Sequence, residues 1–469
     1  MIQKNTREVS LRHPIRIVSL ICTFALAQNL AAREFVGPDS MQSTRNLTIF
    51  NQQLAGLVKE TIDQNHSLKA AAKRIDEADA NARIKSSYSP PRFEIGAMDA
   101  SVYSFPNPFI DQMQMDYSLE QMIMFPGKLS NMKKAELKKK DMFKYDKTTL
   151  ERELIRRIKS TFYEIYLIDR QLEINSASQI LISHMIDIAR TQYEVGMGKQ
   201  ADILRAQTEL SMLRKKIVAR EQQRQSMVAM INALRNKPVE TPIGTVPEIM
   251  PMPHDLSFEE IQTKALGNRS ELKSMQANLE MKKTENSISK LEWFPDFMIK
   301  GTYSNVRPMP IGADPMSAEF GTTTSTKSPD RWSIMVGATI PEAPWSWGKA
   351  SSSQQQTRLA VDAAQEDLAE MENMTKSQIY DAFTQVKSNI RQLHITTSTL
   401  LPQAQQALES ALASYRTGGQ EFTMLLDAER MLLMARDDYH MTVMNYLESL
   451  SKLERVTGSD LDLFFNGDK

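Results

Sequence analysis

From Gln112 to Gln121 the side chains alternate. Met113, Met115, Tyr117, Leu119 and Gln121 fall on one face, and Gln112, Gln114, Asp116, Ser118 and Glu120 fall on the other. A period of two with one largely apolar and one wholly polar face predicts a strand. Arg92 to Ser104 reads as its partner, across a loop at Phe105 to Ile110 that holds Pro106 and Pro108. A second pair follows later. Phe297, Ile299, Gly301 and Tyr303 form one face of a strand, and Trp332, Ile334, Val336, Ala338 and Ile340 form the next. Between them, Asn305 to Asp330 is a polar loop rich in Gly, Pro, Thr and Ser.

Everywhere else the period is helical. A helix from Leu47 to Ser87 is ended by Pro90-Pro91. Another runs from about Asn131 to Gln192, a length of roughly 60 residues that reaches on the order of 90 Å. Along it Leu154, Ile158, Thr161, Ile165, Ile168 and Leu172 keep a coiled-coil-like spacing. Gly196 and Gly198 break it, and Ala201 to Arg235 returns antiparallel. A connector with five prolines between Asn236 and Asp255 shows no periodicity. The plan then recurs. Leu256 to Leu291 is helical and ends at Trp293-Phe294-Pro295. A long helix reaches Tyr415 with Pro402 as its expected kink, and Phe422 to Val456 returns after Gly418-Gly419.

The recurrence is literal at the turns. Tyr193-x-x-Gly196 followed by Leu204-x-Ala206 reappears 222 positions later as Tyr415-x-x-Gly418 and Leu426-x-Ala428. Gly127-Lys128 and Gly348-Lys349 each follow a strand pair. A shift held across a whole phrase indicates a doubled unit. The division expected is a leader over 1–27, an extension over 28–46, repeats over 47–236 and 256–458 around a connector at 237–255, and a tail over 459–469. The fold class is mainly α with a small β part, internally duplicated.

Composition narrows the picture. Fifty-seven Lys and Arg balance 57 Asp and Glu, which gives no reason to expect a nucleic-acid partner. The 29 methionines read as flexible packing, with soft-metal handling as the competing reading. Lys4, Arg7, Arg12 and Arg16 precede an apolar run, Ile17 to Ala27, that fits an export signal cleaved before Gln28. The sole cysteine, Cys22, lies in that run. Ser19-Leu20-Ile21-Cys22 is a poor lipoprotein box because Ile21 is bulky, so disulfides and thiolate metal sites are not expected in the exported chain. No later segment reads as a membrane-spanning helix, so a crossing would have to be a β-barrel. The six histidines lack metal-ligand spacing. Gly196-Met197-Gly198 follows a helix rather than a strand, so it is no dinucleotide loop. No catalytic constellation assembles and no cofactor is expected.

Together, the doubled turn phrase, the two strand pairs and the Gly-Lys after each pair resemble the TolC-type outer membrane efflux proteins over Leu47 to Gly458. Met124-Phe125-Pro126-Gly127-Lys128-Leu129 further resembles their heavy-metal-efflux branch. The resemblance implies a homotrimer in outer-membrane lipid. Each copy would give its strands to a shared twelve-stranded barrel, with a long helical tube in the periplasm. The glycine turns would meet a periplasmic adaptor coupled to an inner-membrane pump. The loops at Phe105 to Ile110 and Asn305 to Asp330 would face outward. The implied role is an exit duct for small substrates, metal cations or drugs. A type I protein-secretion outlet and a periplasmic coiled-coil scaffold are the alternatives.

The resemblance also assigns residues. Asp427 matches an acidic ring at the pore entrance, while Met424 stands where relatives carry a second acid. Asp202 and Tyr415 match a latch that holds the entrance shut, with Gln420 in place of its basic member and Arg416 or Lys199 as substitutes. Val195, Gly196, Thr417 and Gly418 match the adaptor-docking tips.

Overall fold

The computed structural model describes residues 38–98, 106–109, 114–251, 257–306, 330–342, 344, 347–417 and 419–459. The leader, Cys22, Gly418, most of the Asn305–Asp330 loop and the tail beyond 459 lie outside them. In chain order the elements are α1 (Pro38–Gln64), α2 (His66–Lys85), β1 (Arg92–Met98), β2 (Gln114–Ile123), α3 (Lys128–Glu194) and α4 (Gln200–Leu234). The second half gives α5 (Phe258–Asn268), α6 (Ser270–Leu291), β3 (Phe297–Val306), β4 (Arg331–Ala338), α7 (Lys349–Ile395), α8 (Leu401–Arg416) and α9 (Phe422–Thr457). Each half thus runs helices, a strand pair and then long helices.

Three helical expectations need correction. The first helix begins at Pro38, earlier than Leu47, and it is broken at Asn65. Asn65 Oδ1 accepts the backbone N–H of Ser67 and Leu68 and caps α2, while Nδ2 donates to the Leu234 carbonyl at 2.8 Å. The helix expected from Leu256 to Leu291 is likewise two, divided at extended Arg269. Gly458 closes α9 with φ +65° directly over this break, where a Cβ would lie 3.1 Å from the Asn268 carbonyl.

Pro402 has no N–H for the Ser398 carbonyl, and the turn just before it, Thr396–Leu400, widens to a π turn between α7 and α8.

The helices share two apolar clusters. One lies midway along the bundle: Phe50 of α1 meets Phe162 of α3 with ring centroids 5.1 Å apart, beside Ile231, Ile379, Tyr446 and Leu450. The other lies toward the turns and holds Ile182, Met185, Leu213, Leu408, Leu425 and Leu432. Of the coiled-coil series on α3, Leu154, Ile158, Thr161, Ile165 and Ile168 are buried, and Leu172 is only half-buried.

The proline-rich connector is packed, not loose. Val246 and Ile249 are buried. Asp169, itself buried, pairs with Arg224 at 2.6 Å and accepts the Val246 N–H at 2.9 Å. Asn232 Nδ2 donates to the Val239 and Thr241 carbonyls.

The four strands form one antiparallel sheet in the order β1-β2-β3-β4. Register places Ile95, Tyr117, Tyr303 and Trp332 in one cross-strand row, and Phe93, Leu119, Gly301 and Ile334 in another. These rows face outward and are exposed: Trp332 at 78% and Ile334 at 65%. The opposite face is polar and better covered, with Ser118 at 5%. There Glu94 bridges Arg92 and Lys300, each at 2.8 Å, and Gln114 donates to Asp116 at 2.7 Å. The sheet is inside-out relative to a water-soluble one.

At its lower end Gly127 (φ +95°) and Gly348 (φ +84°) start α3 and α7. Lys128 is buried and pairs with Asp296 at 2.8 Å, and Asp296 also accepts the Phe125 N–H at 2.7 Å. Phe125 stacks on Phe294 at 4.5 Å beside exposed Trp293.

Candidate pore-entrance site at the paired hairpin tips

The α3–α4 turn is closed by backbone alone. Gly196 takes φ +77°, and the N–H groups of Met197 and Gly198 both donate to the Gln192 carbonyl at 2.9 Å. A Cβ at Gly198 would lie 3.0 Å from the Tyr193 nitrogen, so a larger residue fits only if this turn backbone shifts. In the α8–α9 turn the Gly419 N–H donates to the Ser414 carbonyl at 2.9 Å, and Thr417 Oγ1 donates to the same oxygen at 3.0 Å.

The two tips lie side by side. Gln192 Nε2 donates to the Arg416 carbonyl at 3.3 Å, and Lys199 Nζ lies 3.8 Å from the Glu421 carboxylate. That ion pair is exposed on both sides and worth at most about 1 kcal/mol. Val195 and Thr417 are exposed at the extreme end, as is Gly196. Gly418 lies outside the described residues.

A cleft of about 430 Å³ opens between the tips. Asp202, Tyr415 and Gln420 all line it, with Lys199, Arg205 and Glu421. The sequence-assigned latch residues are thus gathered in one place, yet the latch bond is not made. The Tyr415 ring is buried edge-on against Phe422 at 5.4 Å, and its hydroxyl has no hydrogen-bond partner. Burial first, and the nearby Asp202 carboxylate second, push the phenol above its usual range. Of the two substitutes named for the missing base, Lys199 does tie the tips, but through Glu421 rather than Asp202.

Asp427 lies one step along α9, 66% exposed and 3.6 Å from Arg430. Arg430 Nη2 in turn donates to Glu209 of α4 at 2.5 Å. Glu209 holds the guanidinium above its ordinary value. Sequence reasoning missed Glu209 and Arg430. Their partnership spans 221 positions and leaves no local signal.

A family model described as outer membrane efflux protein matches residues 57–236 and 262–459. The chain belongs to that family. The two matched stretches accord with the duplication read from the turns. Several solved structures share the fold of this family member. The outer-membrane channel OprN superposes with a TM-score of 0.72 at 15% identity, over 89% of this chain and 92% of that one. The outer membrane protein VceC of Vibrio cholerae gives 0.70 at 15% identity, over 87% and 96%. CusC, whose structures concern folding and transmembrane channel formation, gives 0.69 at 16% identity, over 87% and 92%. No curated protein matches the chain in a sequence search.

Proposed function

We propose that this protein is the outer-membrane exit duct of a tripartite efflux assembly. It acts as a homotrimer whose helical tube extends into the periplasm toward an adaptor and an inner-membrane pump. Small substrates, metal cations or drugs, pass through it to the exterior. One observation carries the reading: a sheet of four strands with its apolar face outward, its polar face inward and, among the described residues, no partner on the outer edges of β1 and β4. Exposed strand edges and an exposed apolar face are unfavourable in water. Both are relieved when three copies close a barrel in lipid, where every backbone group must be paired. Strands of ten residues, as in β2 and β3, suit a tilted crossing. Asp427 and the cleft around Asp202 and Tyr415 then sit at the pore entrance, and Val195, Gly196 and Thr417 form the adaptor-facing rim.

The test is purification followed by bilayer recording. A duct requires detergent, runs as a trimer on an unheated gel and conducts ions across a planar bilayer. A chain that is monomeric and soluble without detergent, and silent in the bilayer, overturns the reading in favour of a scaffold.

A further inference from the structure

We infer that Arg430 sets the charge selectivity of the pore entrance by dividing its guanidinium between Glu209 and Asp427. This rests on the proposed place of Asp427 at the pore. A groove of about 410 Å³ between α4 and α9 carries the argument. Its charged lining is Arg205 and Arg430 against Glu209 and Asp427, a balanced set. Asp427 is therefore not an unopposed acid. Arg430 Nη2 is 2.5 Å from Glu209, whose side chain is 12% exposed, and Nη1 is 3.6 Å from Asp427. The nearer and drier carboxylate takes the larger share of the cation, because attraction grows as distance and local dielectric fall. Asp427 is farther from the guanidinium than Glu209 and faces solvent.

The duplication supplies no second such device. The positions 222 residues from Arg430 and Glu209 are Thr208 and Met431. Without this guanidinium, Arg205 alone would face Glu209 and Asp427 in each copy.

Opposite signs separate this role from a purely structural tie. The readout is the reversal potential in a potassium chloride gradient, for detergent-purified channels that still run as trimers on an unheated gel. Arg430→Gln leaves the groove net negative, so the potassium-to-chloride permeability ratio rises about twofold or more at low salt. Glu209→Gln frees Arg430 for Asp427, and the ratio falls. Arg430→Lys keeps the charge and stays near wild type. If Arg430→Gln and Glu209→Gln shift the ratio in the same direction, or neither shifts it, while Asp427→Asn lowers it, the assignment to Arg430 is wrong. If Asp427→Asn leaves the ratio at the wild-type value, the pore-entrance reading beneath it fails.

Discussion

Glu429 stands 222 positions after Gln207, and the two matched residues have opposite surroundings. Gln207 is exposed, whereas Glu429 is buried beside Leu425, Leu432 and Ile174 of the apolar cluster near the tips. Ser178 Oγ of α3 donates to its Oε1 at 2.7 Å, and its Oε2 has no partner. Burial raises the carboxyl above its ordinary 4.5, the Ser178 bond opposes that, and Glu209, Arg430 and Lys216 act on it from neighbouring helices. The sign follows from proton counting. Above the unfolded value the unfolded chain has released this proton and the folded chain retains it, so this site makes the protein less stable as pH rises until the folded value is passed. Glu429→Gln removes that loss. The variant should unfold at higher temperature than wild type at neutral pH, by an amount on the order of 1 kcal/mol, and the difference should vanish near pH 4. Far-UV circular dichroism melts across pH check it; equal melts at neutral pH would show that burial does not raise this carboxyl.

At the scale of elements, the sheet is the piece whose faces matter most. Ile334 and Ser333 are neighbours on β4 and point to opposite sides. In the proposed barrel, a charge on the apolar, outward side sits in lipid, at a cost of about 2–4 kcal/mol near the midplane. Ile334→Arg should therefore sharply reduce the trimer recovered from outer membranes, and Ser333→Arg should be recovered near wild-type level. Equal recovery of both would mean that the apolar face is not in lipid. The helices teach a different lesson. Asn65 and Arg269 break two helices that read as continuous: the signals there, a capping Asn and the pair Gly267-Asn268, are weaker than the Pro that ends the other helices. A long-range contact accompanies each break: Asn65 bonds the Leu234 carbonyl and Arg269 Nη2 bonds Gln378 at 2.7 Å.

At the scale of the molecule, Lys128 joins three things: the foot of the sheet, the start of α3 and, through Asp296, the second repeat. Lys128→Met keeps the apolar stem but leaves Asp296 without its cation in a partly buried site. Removing one partner of such a pair costs about 3–5 kcal/mol when fully buried and less here. The expected result is trimers that dissociate on a gel at clearly lower temperature than wild type, with the helical content unchanged; an unshifted dissociation temperature would show that the pair does not hold sheet to bundle.

Period and turn residues are local, so the types of the elements, the duplication and the alternating strands were legible in the chain, whereas the breaks at Asn65 and Arg269 were not. The resemblance to the efflux family also assigned Asp202, Tyr415, Gln420 and Asp427 near the turns. How those residues meet is a matter of three-dimensional packing. It placed Asp202 and Tyr415 in one cleft without a bond, tied Lys199 to Glu421, and gave Arg430 to Glu209. Those pairings join helices more than 200 residues apart, and their energies depend on distance and burial, quantities that no one-dimensional pattern carries.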